Sequence, residues 1–209
     1  ADHLVTARYH HVYMWDTDYP ALPMDADDDK TDMVVLGWQW KTGTAVDLID
    51  ARVYASTVDH TMSNRNRPSL SMMLMETVAD TATRGARIEG RWIGETGMIQ
   101  FGMDHRVREK DGLRERTMNM GPMAGMTMSD RIWPDAIVSS SGGYAEYNGS
   151  LSARVTLSSG IRIDRFQADA RAPMGMFTMI YGEDLARSDT ALSVFAGVDV
   201  SITDRMALG

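Results

Sequence analysis

Apolar and polar residues alternate, one for one, along segment after segment of this chain. In the stretch RVTLSSGIRIDRF (154–166) the aliphatic residues share one parity, whereas most charged and hydroxyl residues share the other. A β-strand turns successive side chains to opposite faces, so such a segment has one apolar and one charged face. Helical periodicity is not sustained over a dozen residues in any segment. Eight segments alternate in this way: 4–15, 31–40, 46–58, 83–92, 98–108, 141–147, 154–166 and 190–203.

The connections between these segments alternate between long and short. In chain order they are 16–30, 41–45, 59–82, 93–97, 109–140, 148–153, 167–189 and 204–205. An antiparallel meander with this alternation has short turns at one rim and long loops at the other, which is typical of outer-membrane barrels. Soluble sandwiches seldom keep it over four successive hairpins. The sequence therefore predicts an all-β fold, namely a segment of an antiparallel up-and-down transmembrane β-barrel with eight or nine strands.

Three aromatic residues support this interpretation. Trp40, Trp92 and Tyr147 each come one or two residues before a predicted short turn, on the apolar parity of their segments. Aromatic side chains at one rim of the apolar face are what a girdle at the membrane interface requires. The alternative is that they are core aromatics at strand ends of a soluble protein.

The opposite parity is rich in charge. A small soluble barrel has an apolar, tightly filled interior, whereas the lumen of a wide membrane barrel is wet or holds a polar plug. The sequence therefore predicts a lumen-facing set on this parity. Its members are Asp50, Arg52, Arg87, Glu89, Arg91, Gln100, Asp104, Arg106, Arg162 and Asp164.

Composition excludes several classes of function. The 209 residues carry a formal charge of −8 with a pI near 5.0, which argues against nucleic-acid binding. Cysteine is absent, so disulfides, thiolate metal sites and cysteine nucleophiles are excluded. The chain opens with Ala-Asp-His and stops at Gly209 where a new strand would begin. We therefore expect both ends to be cuts in a longer chain.

Four stretches resemble the barrel of TonB-dependent outer-membrane receptors: 16–32, 58–68, 75–92 and 133–166. In the last, Tyr144, Glu146 and Tyr147 followed by Gly160, Arg162 and Asp164 are similar to the family's strand, tight turn and strand. The branch that it most resembles includes copper receptors.

The resemblance implies a location in the bacterial outer membrane and a barrel of about 22 strands around a plug. Residues 1–209 would then be part of one barrel domain that lacks the plug and the closing strands. It also implies three partners: the lipid bilayer, the TonB energy-coupling complex acting through the plug, and a small metal-containing ligand.

Methionine appears 18 times and clusters in predicted external loops. Thioethers are soft ligands that suit Cu(I), so copper could be the transported ligand. The alternative is that methionine is adaptable apolar filler where loops fold over a plug. His60, His105 and the His10-His11 pair could join such a site, although isolated histidines are more often solvated. The candidate metal ligands are Met118, Met120, Met123, Met126 and Met128, with Met72, Met73 and Met75; Met174, Met176 and Met179 form a third cluster.

Calcium binding and catalysis have little support in the sequence. Asp25, Asp27 and Asp29 imitate the start of a calcium loop, but Lys30 and Leu36 occupy positions that need glycine and glutamate. No nucleophile elbow, phosphate loop or zinc pattern occurs, so we expect no enzyme. The leading hypothesis is uptake of copper, a metal chelate or a siderophore by a TonB-dependent receptor. The alternatives are a self-contained small barrel, structural or lipid-hydrolase-like, and a soluble periplasmic methionine-rich copper protein.

Overall fold

The computed structural model describes residues 2–172, 176–182, 185–203 and 206–208, and these form one antiparallel sheet. Its nine strands are hydrogen-bonded in sequence order, so the sheet is an up-and-down meander and the predicted fold class is confirmed. The strands are β1 (Asp2–Thr17), β2 (Asp25–Lys41), β3 (Leu48–Ser63), β4 (Met73–Ile93), β5 (Gly97–Met118), β6 (Thr127–Ser152), β7 (Val155–Ala170), β8 (Arg187–Thr203) and β9 (Met206–Leu208).

Most strands are longer than the sequence predicted. The segment 109–140, predicted as a loop, is largely strand, and only residues 119–126 connect β5 to β6. The same holds for 59–82, where residues 64–72 remain between β3 and β4. Apolar–polar alternation marks only the part of a strand that has two different solvents at its faces. Beyond that part the ladder continues with apolar and polar residues mixed on both faces, and the periodicity disappears.

Helix is scarce, as expected, but it occurs. A 3-10 turn spans Pro68–Ser71, and a six-residue helix, α1 (Met176–Tyr181), lies in the predicted long connection 167–189. Within the described residues, no helix combines the length and the apolar character needed to cross a bilayer.

Two adjacent register rows cross the sheet and show its two faces. The first joins Trp38, Ala51, Ile88, Met103, Gly143, Ile163 and Leu192. The second row lies one residue closer to the long loops on every strand. It joins Gly37, Arg52, Arg87, Asp104, Gly142, Asp164 and Ala191. Because neighbours along a strand point to opposite sides, one row belongs to an apolar face and the other to a charged face.

The apolar face has no covering layer in the described part of the chain. Ile163 is 55% exposed, Leu192 66% and Val194 70%, and the only fully buried apolar side chains there are Ala26 and Ala79. A soluble sandwich needs a second layer over such a face. The sheet therefore suits a hydrocarbon solvent on this side.

If the chain formed a self-contained small barrel, its first and last long strands would be hydrogen-bonded to each other. In the described residues β1 pairs with β2, and β8 pairs with β7 and β9. No pairing of β1 with β8 or β9 occurs among them, so the sheet is open.

Candidate functional site

The charged face brings together residues that are far apart in the sequence. The predicted lumen-facing residues lie on this one face, and several are direct cross-strand neighbours: Asp50 with Glu89, Arg52 with Arg87, and Arg87 with Asp104. Their assignment to a barrel lumen stays a prediction, since only one side of a barrel is present.

Glu89 is the centre of the first cluster. Its carboxylate is only 7% exposed and accepts hydrogen bonds from Arg87 at 2.6 Å, from Arg91 at 2.8 Å and from the Tyr144 hydroxyl at 2.6 Å. Gly102 lies between Glu89 and Tyr144 in the same register row, and a Cβ there would come within 2.9 Å of the Tyr144 ring. The missing side chain at Gly102 therefore lets Tyr144 reach across β5 to the carboxylate.

Arg162 is the centre of the second cluster. Its guanidinium donates to both oxygens of Asp104, at 2.9 and 3.1 Å, and to both oxygens of Asp164, at 2.6 and 2.8 Å. To reach Asp104 on β5 from β7, the side chain crosses β6 at Gly142, where a Cβ would collide with it. A planar cation thus links β5 to β7 across β6 through bidentate ion pairs.

The remaining predicted members are less constrained. Asp50 accepts from Gln39 at 2.6 Å and pairs with Arg52 at 2.9 Å. Arg106 lines a polar recess of about 560 Å³ beside Tyr54 and Arg162, and it makes no side-chain hydrogen bond with another described residue.

Sequence reasoning missed the roles of Tyr144, Gly102 and Gly142. Tyr144 appeared only within a family motif, and the two glycines carry no chemistry of their own. One signal in the sequence could have found them: both glycines occupy positions on the charged face, where the neighbouring residues have long side chains. In a sheet, such a glycine marks a place where a neighbour's side chain passes over the backbone.

The aromatic residues at the short-turn rim are partly as predicted. Trp92 and Tyr147 flank Ile99 in one register row, so they stand level with each other. However, β6 runs on to Ser152, so Tyr147 does not immediately precede the turn as predicted. Trp40 stacks on Trp38 and His3 at centroid distances of 5.9 and 5.5 Å. Their function as a membrane girdle stays a prediction.

The methionines do not all lie in loops, which corrects the prediction. Met73 and Met75 belong to β4, Met118 ends β5, and Met128 lies in β6, because these strands extend beyond their alternating parts. Of the eight candidate ligands from the first two clusters, Met72, Met120, Met123 and Met126 are in loops, and all four are exposed.

The structure nevertheless brings the two methionine clusters to one place. Met73 is the cross-strand neighbour of Met118, and Met75 and Met128 flank Arg116 on the charged face. The two loops also touch, because Asn119 donates to the backbone oxygens of Met72 at 3.0 Å and Leu70 at 2.6 Å. We call this group of eight methionines the methionine rim.

The third methionine cluster is placed only in part. Met174 lies outside the described residues, as does the side chain of Met176. Met179 is exposed on α1. No statement about a joint site with the rim follows from these residues.

The histidines and the acidic run have protein partners instead of a shared site. His60 contacts Asp29 at 2.9 Å, His11 contacts Asp32 at 2.8 Å, and His105 contacts Ser141 at 2.8 Å. Neighbours in β1, His10 and His11 point to opposite faces. In the acidic run, Asp25 pairs with Arg67 and Asp27 accepts from Ser63. Across the described residues, no group of three or more His, Asp or Glu is arranged to hold a metal ion.

Asp130, in the β5–β6 hairpin beyond the alternating part of the strands, gives a pH-dependent contact. Hydrogen bonds from Arg114 at 2.6 Å and then the charge of Arg116 hold the pKa of the Asp130 carboxyl below its ordinary value of 3.8. A carboxyl with a lowered pKa stabilises the fold above its unfolded pKa and loses this effect as the pH falls through the folded pKa.

We therefore expect Asp130→Asn to weaken this hairpin at pH 7 but not at a pH below the folded pKa, where the native carboxyl is also neutral. Because the pair is half-exposed, the effect should stay near or below about 1 kcal/mol. Hydrogen exchange of the hairpin amides at the two pH values, corrected for intrinsic rates, measures it. Glu115→Gln is the matched control, since Glu115 has only a 3.4 Å contact with Ser129. Equal protection of wild type and Asp130→Asn at pH 7 would contradict the expectation.

Together these features define a class. An open up-and-down sheet with one uncovered apolar face, one face of paired charges and short turns at one rim has the architecture of one side of an antiparallel β-barrel. No family model and no curated protein matches the chain.

Solved structures supply the match. The chain is similar to the copper transporter OprC, with a TM-score of 0.74 and 22% identity over 89% of this chain. It is also similar to the unliganded ferric citrate transporter FecA, with a TM-score of 0.63 and 12% identity over 85% of it. BauA, the ferric preacinetobactin receptor from Acinetobacter baumannii, is similar with a TM-score of 0.57 and 11% identity over 88% of this chain. The chain spans 29%, 26% and 30% of these three proteins. The predicted resemblance is confirmed at the level of the fold.

Proposed function

We propose that the chain forms part of the barrel wall of a TonB-dependent receptor that takes up a scarce ligand across the bacterial outer membrane. The observation that carries this proposal is the pair of opposite faces: an uncovered apolar face and a face of interlocked ion pairs on strands of one meander. Hydrocarbon would bathe the first, and water or a plug would contact the second. No step of this function requires a catalytic group.

Energy for uptake would come from a TonB-type complex acting through a plug. The charged face offers a plug both exposed donors, such as Arg106 in its recess, and carboxylates already neutralised by arginine. Such paired charges limit the desolvation cost when a polar domain packs against them. The long-loop rim would collect ligand at the external side.

Copper is the first candidate ligand. The methionine rim would bring thioethers to the external mouth, and soft thioethers select Cu(I) over harder ions. OprC, a copper transporter, is among the similar structures. A ferric siderophore is the second candidate, supported by the likeness to FecA and BauA and by Arg114 and Arg116 near the rim, since arginine suits anionic ligands.

The decisive variant replaces the four loop methionines, Met72, Met120, Met123 and Met126, with leucine. Leucine keeps the apolar volume and removes the sulfur, so it separates a metal ligand from an apolar filler. For the complete receptor in detergent we expect Cu(I) affinity, measured by competition with a chromogenic chelator, to fall at least about tenfold, which corresponds to about 1.4 kcal/mol. Met33→Leu with Met103→Leu is the control, because both lie outside the rim.

Two other results would count against copper. Unchanged Cu(I) affinity in the four-leucine variant would favour the filler interpretation. Copper-independent growth together with a loss of ferric-siderophore uptake in a deletion strain would favour the second candidate ligand.

A further inference from the structure

A groove crosses the uncovered apolar face near its middle. It has a volume of about 860 Å³, within the range of sites that hold small molecules. Its apolar walls come from Ala86, Ile88, Met103 and Ile163, and Met103 is 64% exposed. We call it the outer groove.

Gly143 makes the groove possible. It lies between Met103 and Ile163 in the apolar register row. A Cβ built at Gly143 would have a single neighbour within 4 Å, the carbonyl oxygen of Gly102 at 3.9 Å. The space over β6 is therefore empty because of the residue type, and a larger side chain would fill it without backbone strain.

One end of the outer groove is polar. The next register row on the same face lies two residues closer to the long loops. It joins Ala86, His105, Ser141, Arg165 and Thr190. Arg165 follows Val155, the first residue of β7, by ten positions. Because a strand crosses a bilayer in about 9–11 residues, Arg165 stands at the external boundary of the apolar band on β7.

Arg165 is a cation without a counter-ion in the described part of the chain. It is exposed and forms no ion pair there, whereas Arg84, on the same face, pairs with Glu109 at 2.7 Å. His105 lies in the same row, with Nδ1 held by Ser141 at 2.8 Å, which leaves Nε2 available. On β1 and β2 the corresponding region instead presents Asp32, which accepts from Tyr9 and His11. The guanidinium of Arg165, unpaired within the described residues, thus stands at the end of the groove.

We propose that the outer groove binds a phosphorylated lipid of the external leaflet. An acyl chain lies between Ile88, Met103 and Ile163 over Gly143, and the phosphate contacts Arg165 and His105. An arginine binds a phosphate through parallel hydrogen bonds. Contact of the acyl chain with the groove adds hydrophobic stabilisation in proportion to the apolar area that is buried. The inference rests on the proposed function, because only insertion into a membrane brings lipid to this face.

The test uses the complete receptor in a neutral detergent and two lipids with identical chains. Dioleoyl phosphatidic acid carries the phosphate and dioleoylglycerol lacks it, and native mass spectrometry measures the binding of each. We expect the phosphate-bearing lipid to bind about tenfold more tightly, the magnitude of one charge-assisted hydrogen bond. Arg165→Gln should remove most of this preference, and Gly143→Leu should weaken the binding of both lipids.

Arg154→Gln is the matched control, since Arg154 is exposed at the short turn between β6 and β7, away from the groove. It should leave the preference unchanged. Equal affinity of wild type for the two lipids, or an Arg165→Gln variant that keeps the preference, overturns the proposal. So does an Arg154→Gln variant that loses the preference equally, since general charge would then explain it. If Gly143→Leu does not fold, as judged by heat-modifiable migration, the Arg165→Gln comparison decides alone.

These outcomes are separate from failure of the proposed function. If the folded protein were soluble without detergent, its apolar face would be covered and the membrane assignment would fail. If it required detergent but showed no phosphate preference, only the lipid site would fail.

Discussion

Arginine at Val34 should destabilise the barrel by about 2–4 kcal/mol, the cost of a cation at the lipid-facing midplane. Val34 is on the apolar face, 44% exposed, six residues before Trp40 at the short-turn rim. Six residues of a tilted strand place it near the centre of an apolar band about 25 Å tall. The free energy of unfolding in lipid vesicles, from denaturant titrations of heat-modifiable migration, measures the effect.

The neighbouring position supplies a matched control. Met33 has a similar exposed fraction, 37%, but points to the charged face between His10 and Ser56. Met33→Arg should therefore cost less than about 1 kcal/mol, because a wet lumen tolerates the charge. Equal destabilisation by the two variants would mean that the two faces do not see different solvents, and the membrane assignment would be wrong.

The second large effect is expected for Arg162→Met. The substitution keeps a long apolar stem but leaves the carboxylates of Asp104 and Asp164 close together without their shared cation. Removing one partner of a buried ion pair costs about 3–5 kcal/mol, and Arg162 is about one-third exposed, so we expect about 1–3 kcal/mol. Thermal unfolding of the complete receptor is the measurement.

Two comparisons make this result specific. Arg106→Met removes an arginine from the same face that has no ion pair with another described residue, and it should change stability by less than about 0.5 kcal/mol. Combining Arg162→Met with Asp104→Asn and Asp164→Asn removes the repulsion and should recover part of the loss. If Arg106→Met and Arg162→Met were equally destabilising, the bidentate network would have no special energetic role.

The sequence predicted the faces better than the strand ends. Alternation in segments such as 154–166 placed Ile161, Ile163, Arg162 and Asp164 on the correct sides of β7. It did not reveal that β5 extends to Met118 and that β6 begins at Thr127, because apolar and polar residues are mixed there without a regular period. The same cause moved Met73, Met75, Met118 and Met128 from loops into strands.

Predicting the candidate site was harder. The sequence selected the charged residues of the lumen-facing set but not their partners, because Arg162 and Asp104 are 58 positions apart. The acidic run that imitates the start of a calcium loop makes separate contacts, since Asp25 pairs with Arg67 and Asp29 with His60. Such pairings depend on the register between strands, because a shift of one residue would turn every side chain of the shifted strand to the opposite face.

The sequence by itself determined the all-β class, the short and long rims, and which parity is apolar, because side-chain direction in a strand repeats every two residues whatever the partners are. The tertiary structure decided which strands are neighbours at each level, and so which cation meets which carboxylate and where glycine opens space. That information lies in the register of hydrogen bonds between strands, which no single strand carries.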